Sequence, residues 1–143
     1  MSKGNTFEND LLKLIFNATA IANIADNAAT SPLTNLYAGL HTSDPGEAGD
    51  QTTNETTYGS YVRVAVARTS GGWTVTANSV SPVANIDFAQ ASSGTATITH
   101  AVIGSVASAG AGKLLYSGTV TPNISVSTGV TPRLTTASTI TED

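Results

Sequence analysis

The sequence predicts a mainly β protein, an antiparallel, jelly-roll-like β-sandwich carrying one N-terminal α-helix. Three observations predict it. Only one segment, near the N-terminus, repeats its apolar residues with helical spacing. From residue 35 onward the chain breaks into short runs of alternating apolar and polar residues. Gly, Pro or Ser punctuates the gaps between those runs, and no second amphipathic helix intervenes, which disfavours a parallel α/β sheet.

The helix is expected over about residues 5–18. Phe7, Leu11, Leu14, Ile15 and Ala18 fall on one helical face. Asn5 suits the N-cap, Glu8 three residues later completes a pattern like a capping box, and Asp10 adds negative charge near the positive end of the helix dipole. Residues 24–34, with Asp26, Asn27, Ser31 and Pro32, read as a connection. Eight strands are expected after it, over 35–41, 61–68, 73–76, 86–88, 95–103, 113–120, 124–127 and 134–140. The Gly71-Gly72 pair is expected to turn a hairpin that joins Trp73–Thr76 to the strand before it. Trp73, beside that turn, is read as core. The loop from Thr42 to Thr57 is long and hydrophilic, and is expected to extend from the sandwich and order against a neighbour. The 143 residues suit a single domain, 1–143, with the sandwich over 35–143.

Charged residues make up 11% of the chain, against about 25% in ordinary soluble domains. Thr, Ser, Asn, Ala and Gly therefore cover the surface, which lowers the desolvation cost of packing one subunit against another and weakens the charge repulsion that opposes association. The net charge is −4, and the six cations, Lys3, Lys13, Arg63, Arg68, Lys113 and Arg133, are scattered. Nucleic-acid binding needs clustered cations and is set aside. No apolar run approaches the roughly 20 residues that span a bilayer, and Glu8 and Asp10 interrupt any signal-peptide pattern, so no membrane association and synthesis in a host cytoplasm are expected. There is no cysteine, which excludes disulfides, thiolate metal sites and cysteine nucleophiles.

The residues give little support to catalysis. His41 and His100 are the only imidazoles, and no Gly-x-Ser-x-Gly elbow accompanies them. Asp44, Glu47 and Asp50 are close in sequence but sit in a hydrophilic loop, with no apolar pocket to raise a carboxyl pKa for glycoside hydrolysis. Their spacing does not match a calcium loop, so no metal or cofactor is assigned. Arg63 suits a carboxylate partner, either in the acidic loop of this chain or on another subunit.

The run Leu36-Tyr37-Ala38-Gly39-Leu40-His41-Thr42-Ser43-Asp44-Pro45-Gly46, followed by Tyr61-Val62-Arg63-Val64-Ala65, resembles a pattern in small phage virion proteins of the capsid decoration (cement) and tail-fibre-like group. Residues 112–118 and the closing segment from Leu134 are also similar to that group, although the specific part is 36–68. The resemblance implies a virion component and supplies no catalytic residues. The leading expectation is a decoration protein on the outer surface of the capsid. It would bind the major capsid protein and self-associate as a dimer or trimer, through many modest contacts repeated by symmetry. A tail- or fibre-associated adaptor or receptor-binding module is the alternative, and a carbohydrate-binding or hydrolytic sandwich a minor one. Asp44, Pro45, Glu47, Asp50, Asn54, Glu55 and Arg63 are the candidate partner-binding residues, with the first few residues of the chain as a second contact segment.

Overall fold

The structure, a computed structural model, describes residues 5–21 and 32–142. The expected connection over 24–34 lies mostly outside the described residues, as do the first four residues and the side chain of Asn5. The described chain is mainly β, with one short helix and three antiparallel sheets. Among the described residues no helix is long and apolar enough to cross a membrane. The residues fall into two compact units, each built from non-contiguous segments.

The first unit takes in the chain up to residue 35 together with 67–85 and 135–143. It holds helix α1 (Asn5–Asn17) and a sheet of β3 (Trp73–Thr76), β4 (Ser79–Pro82) and β9 (Ile140–Thr141) in that order. Its core is Leu12, Phe16, Ile21, Trp73 and Val80, all buried. The Phe16 ring meets Trp73 edge-on at 4.9 Å between centroids, so Trp73 is core, as its sequence position implies. The expected helix face is rotated. Leu12 and Phe16 are the fully buried pair, whereas Phe7 is 40% exposed. The run Leu11-Leu12-Lys13-Leu14-Ile15-Phe16 is apolar over most of the helix circumference, so periodicity alone does not choose the face; packing on β3 does.

The helix stops at Asn17 because Ala18 turns left-handed, at φ 55°. Its last turn has no basic residue. Arg68 supplies one from outside, donating from Nε to Ile15 O at 2.6 Å and from Nη2 to Leu14 O at 2.5 Å. A guanidinium there meets both the orphan carbonyls and the negative end of the dipole.

The Gly71-Gly72 turn does not make the expected hairpin. Strand β3 pairs instead with β4, which follows it, in the register Trp73↔Pro82 to Thr76↔Ser79. The loop is Ala77-Asn78, with Ala77 at φ 51°, and it lacks the glycine that usually marks such a turn. The partner strand Ser79–Pro82 is short, and Val80 is its one strongly apolar residue of high strand propensity, although its burial alternates.

The second unit comprises 36–66 and 86–134. Its four-stranded sheet runs β2 (Val64–Ala67), β1 (Asn35–His41), β6 (Ala96–Gly104), β7 (Leu114–Val126). Strand β1 pairs with β6 from Tyr37↔Gly104 to His41↔His100. A separate pair joins β5 (Ile86–Asp87) to β8 (Arg133–Leu134). Leu36, Ala38, Leu40, Ile98 and Val102 are buried, with β1 covered on both faces from Ala38 to His41, and Tyr58, Phe88 and Val126 add to that core.

Three strand expectations change. The run 61–68 is strand only from Val64, because Ser60 at φ 72° and a Tyr61 N to Tyr58 O bond at 3.0 Å make a turn before it. The two runs 113–120 and 124–127 form the single strand β7, whose register shifts so that Ile98 faces Ile124 while His100 faces Thr119. Pro122 is tolerated there because β7 is an edge, where a missing N–H breaks no ladder bond. The run 134–140 splits at a turn closed by Ser138 N to Thr135 O, and its ends join different sheets as β8 and β9.

Candidate functional site

The loop from Thr42 to Thr57 does not extend away. Thr42 N donates to Asn54 O, Thr56 N donates to Leu40 O, and His41 bridges Glu55, so the loop's return arm lies antiparallel beside the end of β1. Gln51 at its far side is completely buried. Loops ordinarily stay at the surface because their backbone polar groups need partners; here buried side chains from this same unit supply them.

Arg63 is the centre of that arrangement. Its guanidinium donates from Nε to Glu55 Oε1 and from Nη2 to Glu55 Oε2, both at 2.7 Å. Nη2 also donates to Gln51 O at 3.0 Å, and Nη1 reaches the carbonyls of Val106, Ala107 and Gly110 at 3.2, 3.0 and 2.8 Å. The Arg63 side chain is 0% exposed and that of Glu55 14%. One cation therefore ties the loop that carries Gln51 and Glu55 to the turn over 106–110, using the fork geometry that Lys lacks.

Gln51 makes the second tie. Its Nε2 donates to Val106 O at 3.2 Å, its Oε1 accepts from Val106 N at 2.9 Å, and its backbone N donates to Ala111 O at 2.9 Å. Two glycines make room for it. A Cβ on Gly104 would sit 2.0 Å from Gln51 Cδ, and one on Gly112, itself at φ 56°, would sit 2.3 Å from Gln51 Oε1. Tyr61 makes the third tie, donating its hydroxyl to Glu55 Oε1 at 2.9 Å while accepting Leu40 N–H at 3.0 Å. Burial pushes the Tyr61 hydroxyl pKa up, well above the ordinary phenol range.

His41 is fully buried at the base of the loop. Its Nδ1 lies 2.8 Å from Thr53 O, and a carbonyl only accepts, so Nδ1 carries the proton. Nε2 has no hydrogen-bond partner. Burial lowers the imidazole pKa and keeps the ring neutral. His100, opposite His41 across β1 and β6, interacts with the Thr99 hydroxyl at 2.9 Å.

The remaining candidate residues separate. Asp44 is exposed; its Oδ1 accepts from Gly46 N at 2.9 Å and its carbonyl from Asn54 Nδ2 at 2.9 Å. Pro45 is buried against the loop, while Glu47 and Asn54 are exposed. Asp50 Oδ1 accepts from the Thr52 hydroxyl at 2.6 Å and the Thr52 N–H at 2.8 Å, which together hold its carboxyl below the usual range. Of the seven candidates, the structure joins Glu55 to Arg63 and Asp44 to Asn54. Among the described residues no group of three His, Asp or Glu side chains is placed to hold a metal ion. Gln51, Tyr61, His41 and Ser108, whose Oγ accepts Arg63 N–H at 2.8 Å, complete the site, and no local sequence pattern marks them as a group.

Beside this clamp lies an open recess of about 490 Å³, walled by Thr52, Glu55, Thr56, Ser60, Tyr61 and Ser108 among others. Seven hydroxyl-bearing residues line it, but apolar atoms make up most of the surface it exposes. A family model described as podophage GP4 fiber I protein gp80 matches residues 2–141.

The chain belongs to that family. As a member of the gp80 fibre family it is a phage virion structural protein, and the virion resemblance carried by residues 36–68 is thereby supported. A capsid-decoration role finds no counterpart in the family description. Comparison with curated proteins gives no match.

Proposed function

We propose that this chain is a non-catalytic structural component of the phage tail-fibre apparatus, serving as an adaptor or receptor-engaging module. The observation that carries this reading is the match to a fibre-protein family over residues 2–141. A second observation weighs in the same direction. The decoration reading relied on a free loop long enough to reach neighbouring capsid subunits, and that loop is clamped back on its own sheet through Arg63 and Gln51. The low charge and the small polar side chains suit packing against other fibre subunits, with self-association about a cyclic axis as the simplest assembly.

Copy number tests it. Peptide quantification of purified virions against the major capsid protein, combined with gold-labelled antibody imaging, should find a few copies per particle at the tail. Hundreds of copies spread over the shell would overturn the fibre reading and restore the decoration role.

A further inference from the structure

We propose that the outer edge of β7 pairs with the same edge of a second copy of this chain, antiparallel about a two-fold axis at Gly118.

Backbone parity fixes what this edge offers. In an antiparallel ladder the N–H and C=O of one residue point to the same side, and the side alternates along the strand. The return arm of the 42–57 loop takes Leu40 O and Thr42 N on one side of β1, which turns the backbone of His41 toward β6. His41 faces His100, so the backbone of Ala101 points the other way, to β7, where it meets Gly118. Ser117 and Thr119, on either side of Gly118, therefore aim their N–H and C=O groups outward. Strand β7 ends its sheet, and among the described residues no backbone group of another segment bonds to Ser117 or Thr119.

Edge strands are ordinarily guarded by brevity, charge, Pro or bulges. The opposite edge of this sheet, β2, is only four residues long. Strand β7 has thirteen residues without a charged side chain, and Ser117, Gly118 and Thr119 are all exposed. Its irregularities lie to either side. The register with β6 skips Leu115, and residues 120–123, which include Pro122, have Thr99 alone opposite them. The straight stretch Tyr116–Thr119 is left open between them.

Three features commit this stretch to its own copy. Pairing like with like usually sets equal charges near one another across the axis; an uncharged strand avoids that repulsion, and a partner selected by charge finds nothing there to read. Facing residues in an antiparallel pair must also share one orientation. With the axis at Gly118, Ser117 of each copy faces Thr119 of the other, and every outward group of both residues closes into a hydrogen bond. No other centre within Tyr116–Thr119 engages both. Gly118 itself is the third feature. Its φ is not left-handed, and a Cβ there would meet nothing within 4 Å, so nothing inside the chain requires a glycine. Glycine inside a strand weakens it and often marks close approach by another backbone. At the axis, where facing Cα atoms come to about 4.5 Å, it keeps side chains out of the join.

The join is short, so dimerisation should be weak, with Kd on the order of 100 μM, and favoured where copies are held close together. This pairing gives the self-association of the fibre reading a surface and a symmetry, and rests on that reading only for its place in the virion.

The test begins with sedimentation of the full chain from about 10 μM to about 1 mM, which should show a monomer–dimer equilibrium. Amide exchange needs no variant. Ser117 and Thr119 should slow by about threefold or more as concentration rises, while Gly118, whose N–H lies on the β6 side, stays unchanged. Ser117→Lys with Thr119→Lys, and Ser117→Glu with Thr119→Glu, alter exposed positions and set like charges across the axis. Each double variant should dimerise about tenfold more weakly or worse, and an equal mixture of the two should form a heterodimer. A monomer at every concentration, a trimer, or slowing at Gly118 instead of its neighbours would overturn the proposal. So would dimers undiminished in both variants, or folded variants that stay monomeric when mixed. A monomer whose Ser117 and Thr119 amides are protected only in virions would give the edge to a different virion protein, which also overturns it. Tail location, measured separately, would leave the fibre reading standing in each of these events.

Discussion

The Arg63 guanidinium meets the Glu55 carboxylate edge to edge, with Nε and Nη2 each 2.7 Å from a different carboxylate oxygen. Breaking this pair from one side leaves a largely buried charge uncompensated. Arg63→Met should lower unfolding free energy by about 3–5 kcal/mol, and Glu55→Leu should also be costly. The double variant should lose less than the sum of the two singles, because neither charge is then stranded. Urea denaturation of all four proteins measures the coupling; strict additivity would show that the pair does not hold the loop.

The Gly104 backbone and the Gln51 side chain occupy adjoining space with no room for a methyl group. Gly104→Ala should therefore destabilise by about 1–3 kcal/mol through overpacking. Combining it with Gln51→Ala should recover part of that loss, since the clashing atoms are gone. Denaturation midpoints of the single and double variants decide the matter, and no recovery would mean that the backbone of β6 is what cannot adjust.

Acid should loosen the loop through His41. Its folded pKa is lowered by burial from an unfolded value of 6.5, so the unfolded chain binds the proton more readily. The stability this group contributes is fully present above pH 6.5 and is lost as pH falls from there through the folded pKa. A proton on Nε2 would have no acceptor, and burial, the largest cause, disfavours the charged ring. Stability measured from pH 8 to 5 should decline in the native protein, and His41→Gln should flatten that decline. Tyr61 acts at the other end: with its folded pKa raised, its contribution is present below about pH 10, the ordinary tyrosine value, and lost above it.

Arg68 stands in for the basic residue that the last turn of α1 lacks. Arg68→Ala should cost about 1–2 kcal/mol by removing charge-assisted bonds to Leu14 O and Ile15 O. Hydrogen exchange should quicken first in the amides of α1. An unchanged exchange pattern there would remove Arg68 from the capping role.

The clamp was partly legible. An internal pair between Arg63 and the acidic loop was one of two readings open from residue types alone, and the structure contains it, with Glu55 as the partner. Nothing local distinguishes Glu55 from Glu47, which lies in the same hydrophilic run and is exposed. Gln51 was invisible for a related reason. Its burial depends on absent side chains at Gly104 and Gly112, in a part of the chain remote in sequence.

What the amino-acid sequence determined by itself is the local grammar: a mainly β chain, the helix at Asn5–Asn17, the strands at Asn35–His41 and Trp73–Thr76, and a low-charge surface suited to assembly. Each of these follows from side-chain periodicity or composition within a short window. Only the tertiary structure decided that β3 pairs forward with β4, that Leu12 and Phe16 are the residues α1 fully buries, and that residues 42–57 fold inward onto Arg63. Those outcomes depend on distant groups fitting one another in space and satisfying one another's hydrogen bonds, and local periodicity carries no record of that.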